Sequence, residues 1–476
     1  MADSSVPVVT AKLPLAVDLD GTLIRSDVFI ESVLQLACRK PWKLAALALW
    51  LVRGRAYAKQ KLAAAFPPEA DTLPYDPRVL SWLRAEHAHG RTIALATASD
   101  ENAAQKVAKH LGLFDAVFAS DGETNLKSRR KAEALAKAYP QGFVYAGNES
   151  ADLKVWGAAH QAVIVNASPA LERNAAAQFS VEKIFAQETS PLRGLIKALR
   201  PRQWAKNFLV FVPMLAGQGW GAWDAWQNAA LAFLALSLSA SGIYLINDAA
   251  DIEADRRHPT KRNRPFASGV LSPLIGLPIA LAMIVAGIAV GANAGILAPL
   301  GVYLAATTLY TFWLKRIVLA DVFVLAGLYT WRIVIGGVAT SFVASDWLLA
   351  FSSFFFLSLA LVKRATEIDA IQGDPHGRGY RGVDGPLLKR VSVGAGLVAA
   401  LILALYLQQP GNYDRYAQPA WLWALPAAVV FFLCRVWLKL ERGEMHDDPV
   451  LFALKDPVSW LVLGGAGAAF ALAAVG

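Results

Sequence analysis

Asn247-Asp248-Ala249-Ala250-Asp251-Ile252-Glu253-Ala254-Asp255 closes a hydrophobic segment and runs directly into Arg256-Arg257-His258-Pro259-Thr260-Lys261-Arg262-Asn263-Arg264-Pro265. Carboxylates three and four residues apart share a helix face. Asn247, Asp248, Asp251 and Asp255 are therefore expected to hold Mg²⁺ together, since a hard divalent cation prefers oxygen ligands and phosphate. With the basic run behind it, the stretch reads as a pyrophosphate site at a membrane surface.

The surrounding composition fits that placement. Of 476 residues, 55% are hydrophobic and 17% charged, and the mean hydropathy of +0.38 is too high for an ordinary soluble protein. Residues 1 to about 190 mix charge with short apolar runs. From Trp204 onward, segments near the spanning length follow one another. Nine spans are expected, at about 205–222, 227–248, 271–291, 294–313, 319–340, 345–362, 391–408, 419–437 and 456–475.

Alternate loops carry the basic residues, from Arg256, Arg257, Lys261, Arg262 and Arg264 through Lys315, Arg316, Lys363, Arg364, Arg378 and Arg381 to Arg435, Lys439, Arg442 and Lys455, whereas the opposite loops carry only Arg415. This is a positive-inside pattern that puts the acidic run on the cytoplasmic face of a plasma (inner) membrane and the C-terminus on the other side. It accounts for the net charge of +9 without nucleic acid. Cys38 and Cys434 lie in different halves and make no disulfide framework. The first ten residues lack the basic and apolar regions of a cleavable signal peptide.

In the N-terminal half, Leu13-Pro14-Leu15-Ala16-Val17 reads as a buried strand ending in Asp18-Leu19-Asp20-Gly21-Thr22. Two aspartates one residue apart point the same way from a strand end. One carboxylate can attack phosphorus while the other shuttles the proton, although a bare strand-ending turn has the same pattern. A second strand, Arg91–Ser99, ends in hydroxyls, and a third, Gly142–Asn148, ends in Gly and a polar residue, with the basic helix start Lys127–Leu135 between them. Polar groups at the carboxyl ends of strands alternating with helices imply a doubly wound sheet.

In order and spacing these elements resemble the haloacid dehalogenase (HAD) superfamily of Mg²⁺-dependent phosphohydrolases over about residues 13–165. The resemblance implies Asp18 as nucleophile, Asp20 as acid/base, Thr97 and Lys131 (or Lys127) on the phosphoryl group, and Asp152 holding Mg²⁺ with Asp18 and the Asp20 carbonyl. One position departs: the last motif reads Gly147-Asn148-Glu149-Ser150-Ala151-Asp152, with an amide where the family has Asp. Residues 28–66 fall where the superfamily inserts a helical cap. Their apolar stretch Leu44–Val52 is too short to span a bilayer and suits cap packing or contact with a greasy substrate.

Residues 166–192 read as a linker, and Leu192–Arg200 as a basic amphipathic helix in the membrane interface. Arg200-Pro201-Arg202-Gln203-Trp204-Ala205-Lys206-Asn207 then enters the first span. Over 193–476 this entry, the acidic run and the span count resemble the UbiA superfamily of intramembrane prenyltransferases. Where most of its aromatic prenyltransferases carry a second aspartate-rich motif, this chain reads Leu361-Val362-Lys363-Arg364-Ala365-Thr366-Glu367-Ile368-Asp369. Cations in that place resemble the branch that transfers 5-phosphoribose from phosphoribosyl pyrophosphate to a polyprenyl phosphate.

The resemblance implies a Mg²⁺-bound pyrophosphate at Asn247, Asp248, Asp251 and Asp255. Lys261 and Arg264 would close on the diphosphate, while Lys206, Asn207, Lys363, Arg364 and Glu367 would serve the phosphate groups of the substrates, with Tyr310, Lys315 and Arg332 as further binding residues. The expected architecture is thus multidomain: an N-terminal Rossmann-like α/β HAD domain (1–165, cap about 28–66), a linker (166–192) and an all-α polytopic membrane domain (193–476). Two other readings stay open: transfer of a prenyl diphosphate's chain to an aromatic acceptor, and a non-enzymatic transporter or scaffold.

Overall fold

The computed structural model describes residues 12–66, 69–121, 125–369, 379–409, 411, 416–445 and 448–475. Arg378, Arg415 and the first ten residues lie outside them. The chain forms two compact units, Met1–Ala198 with Leu245–Pro278, and Leu199–Tyr244 with Ile279–Gly476. The acidic run and the loop after it therefore fold with the N-terminal unit.

That unit is built on a six-stranded parallel sheet: β1 Leu15–Val17, β2 Ile93–Asp100, β3 Ala116–Ser120, β4 Val144–Gly147, β5 Gln161–Val165 and β6 Val181–Phe185, in the order β3-β2-β1-β4-β5-β6. A parallel sheet covered on both faces needs apolar residues on both. Leu15, Val17, Ile93, Leu95, Val144 and Val163 fill one core, and the alternating Ala16, Ala96, Tyr145 and Ile164 fill the other around Trp156. Since β1 pairs with both β2 and β4, the ends of the three strands read from the sequence lie side by side.

Between β1 and β2 come helices α1 Val28–Arg39, α2 Leu44–Val52 and α3 Arg55–Ala65, which share a small core of Leu36, Leu47, Leu62 and Phe66, and then α4 Pro77–Ala88. The remaining helices of the sheet region are α5 Glu101–Leu111, α6 Arg129–Ala138, α7 Leu153–Trp156, α8 Pro169–Gln178 and α9 Pro191–Ala198. The expected linker is corrected here: residues 166–192 hold α8 and β6, and β6 extends the sheet by pairing with β5.

The rest of the chain is helical: α10 Val212–Ala216, α11 Trp223–Ala250, α12 Ile252–Arg257, α13 Pro273–Asn293, α14 Leu297–Phe312, α15 Ala320–Thr340, α16 Asp346–Asp369, α17 Gly385–Gln408, α18 Ala424–Glu441, α19 Pro449–Lys455 and α20 Pro457–Val475. Among the described residues seven of these (α11, α13, α15, α16, α17, α18 and α20) are long and apolar enough to span a bilayer.

Two of the nine expected spans fall short. The fourth is the 16-residue α14. The first is no continuous α-helix but a 3₁₀ helix, Pro201–Phe211, followed by the five-residue α10; Pro213 interrupts the amide ladder between them, and Gly217, Gly219 and Gly221 follow. An 11-residue 3₁₀ run is long for that geometry. It is held against α15 at Gly336, where a Cβ would come within 2.1 Å of the Val210 carbonyl oxygen.

Candidate functional sites

The first site lies at the carboxyl edge of the sheet. Asp18 follows β1 and is 5% exposed. Lys131, near the start of α6, donates from Nζ to Asp18 Oδ1 at 2.9 Å and to the Tyr145 hydroxyl at 2.9 Å. Tyr145 in turn donates to Asp152 Oδ1 at 2.9 Å. Asp152 Oδ2 accepts from the backbone N–H of Asn148 and Glu149 at 2.9 and 3.0 Å, which fixes the turn after β4.

Asp20 accepts from the Ser99 hydroxyl at 2.6 Å and from the Val28 N–H, at the start of α1, at 2.8 Å. Thr97 is fully buried and accepts from the Ser99 N–H at 3.0 Å. Lys127 pairs with Glu149 at 3.0 Å, so of the two candidate lysines it is Lys131 that touches Asp18. Asn148 accepts from Thr22 Oγ1 at 3.2 Å. All these groups except Thr22, Val28, Thr97, Ser99 and Tyr145 line one cavity of about 300 Å³.

The electrostatics suit phosphoryl chemistry. Burial pushes the Asp18 carboxyl up; Lys131 pulls it down, Asp152 and Asp20 push it up further, and it comes to about 7. Burial, then Asp27, push Asp20 up to about 6 against the hydrogen bonds from Ser99 and Val28. Among the described residues no three His, Cys, Asp or Glu side chains form a metal-binding group. Mg²⁺ needs only one or two carboxylates with backbone and water oxygens, and a buried carboxylate whose affinity for protons is raised by a second buried carboxylate beside it is a donor that a cation would relieve. Asp18 and Asp152 fit that role.

In the acidic run the helix does not continue through the motif as its spacing predicts. α11 stops at Ala250 and α12 starts at Ile252, with Asp251 between them. Asp248 and Asp255, 2% and 4% exposed, converge on Arg264, whose Nη1 donates to Asp248 Oδ1 at 3.1 Å and to Asp255 Oδ2 at 2.8 Å. Arg264, expected to close on a diphosphate, thus bridges two carboxylates. Burial pushes Asp255 up and Arg264 opposes it. Asn247 and Asp251 are half-buried beside them, and Lys261 opens the 3₁₀ turn Lys261–Asn263. Asp248 and Asp255, with the side-chain oxygens of Asn247 and Asp251 beside them, are hard oxygen donors of the kind Mg²⁺ prefers, and Arg264 would have to yield the pair to it.

The third site belongs to the helical unit. Lys206 and Asn207 on the 3₁₀ run are 7% and 1% exposed. Lys206 Nζ donates to Asp448 Oδ2 at 2.9 Å, and Lys363 Nζ lies 3.1 Å from the same oxygen. Burial disfavours the Asp448 anion, but Lys363 and Lys206 outweigh it and hold the carboxyl well below the usual range. Arg332 donates to Asn207 Oδ1 at 2.9 Å and to the Tyr303 hydroxyl at 3.1 Å, and Asn207 donates to Ser237 at 3.0 Å. Lys206 stands 5.2 Å from the Tyr329 ring centroid, and Arg332 5.5 Å.

Of the expected cations, Lys206, Lys363 and Arg332 are thus gathered around Asp448, Asn207 and Tyr329. Arg364 is not exposed to a ligand. It is 1% exposed, pairs with Asp321 at 2.5 Å and with Glu367, and lies over Tyr380, tying α16 to α15. Tyr310 ends α14 half-buried, and Lys315 sits in the turn Leu314–Arg316 that follows.

Sequence reading missed Asp448, Tyr145, Tyr303 and Tyr329. Asp448-Pro449 is a helix N-cap signal, and its side chain does accept from Val450 N–H at 3.1 Å, but its ionic role depends on residues far away in the chain.

The UbiA prenyltransferase family model matches residues 208–455. The chain belongs to the UbiA prenyltransferase family. The model for haloacid dehalogenase-like hydrolases matches residues 15–156. The uncharacterized protein y4nM of Sinorhizobium fredii is 39% identical, with the match covering 97% of this chain and 91% of the relative. The nodulation protein NoeC of Azorhizobium caulinodans is 35% identical over 58% of this chain and 91% of its own length. A decaprenyl-phosphate phosphoribosyltransferase of Mycobacterium tuberculosis is 31% identical over 58% of this chain and 95% of its own length. This UbiA member is therefore an enzyme, a multi-pass membrane transferase related to decaprenyl-phosphate phosphoribosyltransferases and joined to a HAD phosphatase domain.

Proposed function

We propose that the chain transfers 5-phosphoribose from phosphoribosyl pyrophosphate to a polyprenyl phosphate and that its HAD domain then removes the 5-phosphate of the product. The observation that carries the first step is the pair Lys206 and Lys363 on Asp448. Two cations that share one buried carboxylate form a site for an anion bound directly, as a lipid monophosphate would be, and charge-assisted bonds to phosphate are strong. An apolar cavity of about 770 Å³ in the helical unit, with Leu215, Trp220, Phe351, Phe355, Phe432 and Phe470 among its lining, suits an isoprenoid.

In the transfer, the bond from ribose C1 to pyrophosphate breaks, the pyrophosphate keeps the electron pair, and an oxygen of the polyprenyl phosphate forms the new bond to C1. Asn247, Asp248, Asp251 and Asp255 would hold a divalent cation that neutralises charge on the leaving pyrophosphate, with Lys261 beside them. Arg332, fixed by Asn207 and Tyr303, positions the phosphate groups. In the second step Asp18 attacks phosphorus and the ester bond breaks, while Asp20 gives its proton to the departing 5-oxygen. Asp20 then takes a proton from water, which attacks the aspartyl phosphate and releases inorganic phosphate. A carboxyl near 6 suits both proton transfers near neutrality. Mg²⁺ at either site supplies charge neutralisation for phosphate oxygens. The basic loops support a reading in which both sites face the cytoplasmic side of the inner membrane.

The test incubates the purified chain with Mg²⁺, polyprenyl phosphate and phosphoribosyl pyrophosphate labelled in the ribose, and then separates the lipids. A labelled lipid without its 5-phosphate is expected. Label only in the aqueous phase, together with lipid product from a prenyl diphosphate and an aromatic acceptor, overturns the reading.

A further inference from the structure

The cavity over Asp18 has a wall that comes from outside the hydrolase match at 15–156. Phe266, Gly269, Leu271, Ser272 and Pro273 line it together with Lys59, Lys127 and Lys131. They belong to the loop that follows the acidic run.

This loop is fastened to the cap. Arg256 grips Glu31 of α1 with two parallel bonds, Nη1 to Oε2 at 2.9 Å and Nη2 to Oε1 at 2.7 Å, and both side chains are less than 10% exposed. Its Nε donates to the Ala267 carbonyl at 2.9 Å, so the same guanidinium also shapes the loop. Arg257 pairs with Glu69. Gly269 has φ +76°, and a Cβ there would lie 2.5 Å from the Arg25 carbonyl oxygen, so a glycine lets the loop rest on the chain that leaves β1. A buried bidentate pair of this kind fixes geometry as well as charge.

Two features suit the cavity to a lipid-anchored substrate. Pro273 is at once a wall residue and the first residue of α13, a candidate span of mean hydropathy 2.5. The cap helix α2 buries Leu47 but leaves Leu49, Leu51 and Val52 exposed, as is Trp42 before it, with Lys43 and Arg53 exposed at its two ends; that combination is typical of helices lying in a membrane interface. The cavity itself, about 300 Å³, has the size of a phosphorylated sugar and not of a whole lipid.

We infer that the loop 256–273 is the specificity wall of the phosphatase site, which takes the phosphorylated headgroup of a membrane-anchored lipid while the lipid tail stays in the bilayer. The inference rests on the phosphatase reading above. Arg256 and Glu31 are positioning residues in it: they hold the wall and touch no reacting atom.

The experiment places the full chain in phosphatidylcholine–phosphatidylglycerol vesicles and compares hydrolysis of phosphoribosyl polyprenyl phosphate with that of free ribose 5-phosphate. The wild type is expected to favour the lipid by about tenfold or more in kcat/KM, within the range that pocket contacts supply. Arg256→Ala and Glu31→Ala should each abolish that preference through KM for the lipid and leave hydrolysis of ribose 5-phosphate within about twofold. The double variant should be no worse than either single one, as expected of one shared contact. Arg256→Lys, which keeps the charge but not the paired bonds, should fall between and guards against loss through misfolding. Equal use of both substrates by the wild type, or a preference untouched in the variants, overturns the wall and leaves the phosphatase standing. No hydrolysis of either substrate overturns both.

Discussion

At the scale of single residues, the two sites differ in how their charges are balanced. Asp20 is held by Ser99 and the first N–H of α1, so its proton is positioned by both the sheet and the cap. Asp20→Asn should lower hydrolysis by about 10²–10⁴-fold, the usual range for loss of a general acid–base group, with little change in KM; a loss below about tenfold would remove it from the chemistry. Asp448 is the reverse case, a carboxylate in the place an anionic substrate would take. Asp448→Asn leaves Lys206 and Lys363 without their shared counter-ion and should cost about 3–5 kcal/mol, as breaking a buried pair does. Polyprenyl phosphate should then raise the melting temperature of the variant more than that of the wild type. An equal shift in both would mean that the lysines do not meet the lipid phosphate. Asp18 and Asp20 were legible because a strand end fixes where their side chains point, and Lys131 because it stands in the basic start of a helix between two strands. Asp448 was not, since its partners are 242 and 85 positions away in the chain, and Tyr145 was hidden among the apolar residues of β4.

At the scale of elements, the strands β1, β2 and β4 were legible because buried parallel strands are short continuous apolar runs. β6 was not: Val181-Glu182-Lys183-Ile184-Phe185 lies at the sheet edge, where charged residues are normal, and it reads as a linker. The first span was misread for a related reason. Hydropathy counts side chains, and it does not register that Pro213 denies the backbone a continuous α-helical ladder. A single carboxylate organises the start of α4. Asp76, fully buried, caps that helix at Arg78 N–H and accepts from Arg25, Arg78 and Asn166. Burial opposes its ionisation, yet Arg78, Arg25 and Asn166 hold it well below the ordinary range. A depressed folded-state value contributes stability that is fully present above the unfolded value of about 4 and is lost as the pH falls below it. Asp76→Ala should therefore cost about 3–5 kcal/mol at neutral pH, and the gap between variant and wild type should shrink as the pH is lowered from about 5 to 3. A gap that does not change with pH would show that the pairing contributes nothing.

At the scale of the whole molecule, the proposed second reaction consumes the product of the proposed first, and one segment bears on both proposals: the acidic run assigned to the transfer continues into the wall of the cavity over Asp18. The chemistry of each step still depends on its own carboxylates, which makes the order of reactions separable by mutation. Asp18→Asn removes the attacking oxygen's charge and keeps its shape, so transfer should proceed and labelled lipid should accumulate with its 5-phosphate intact, read as the slower, more anionic band on separation. Asp248→Asn should stop incorporation of label from phosphoribosyl pyrophosphate by about 10²-fold or more, as expected when a group that stabilises leaving-group charge is lost. The same variant should still release phosphate from phosphoribosyl lipid supplied from outside. If Asp18→Asn yields fully dephosphorylated lipid, the HAD domain is not the second enzyme. If Asp248→Asn loses both reactions while Arg256 and Glu31 remain paired, the acidic run serves the phosphatase as well, and the two sites are one machine rather than two in sequence.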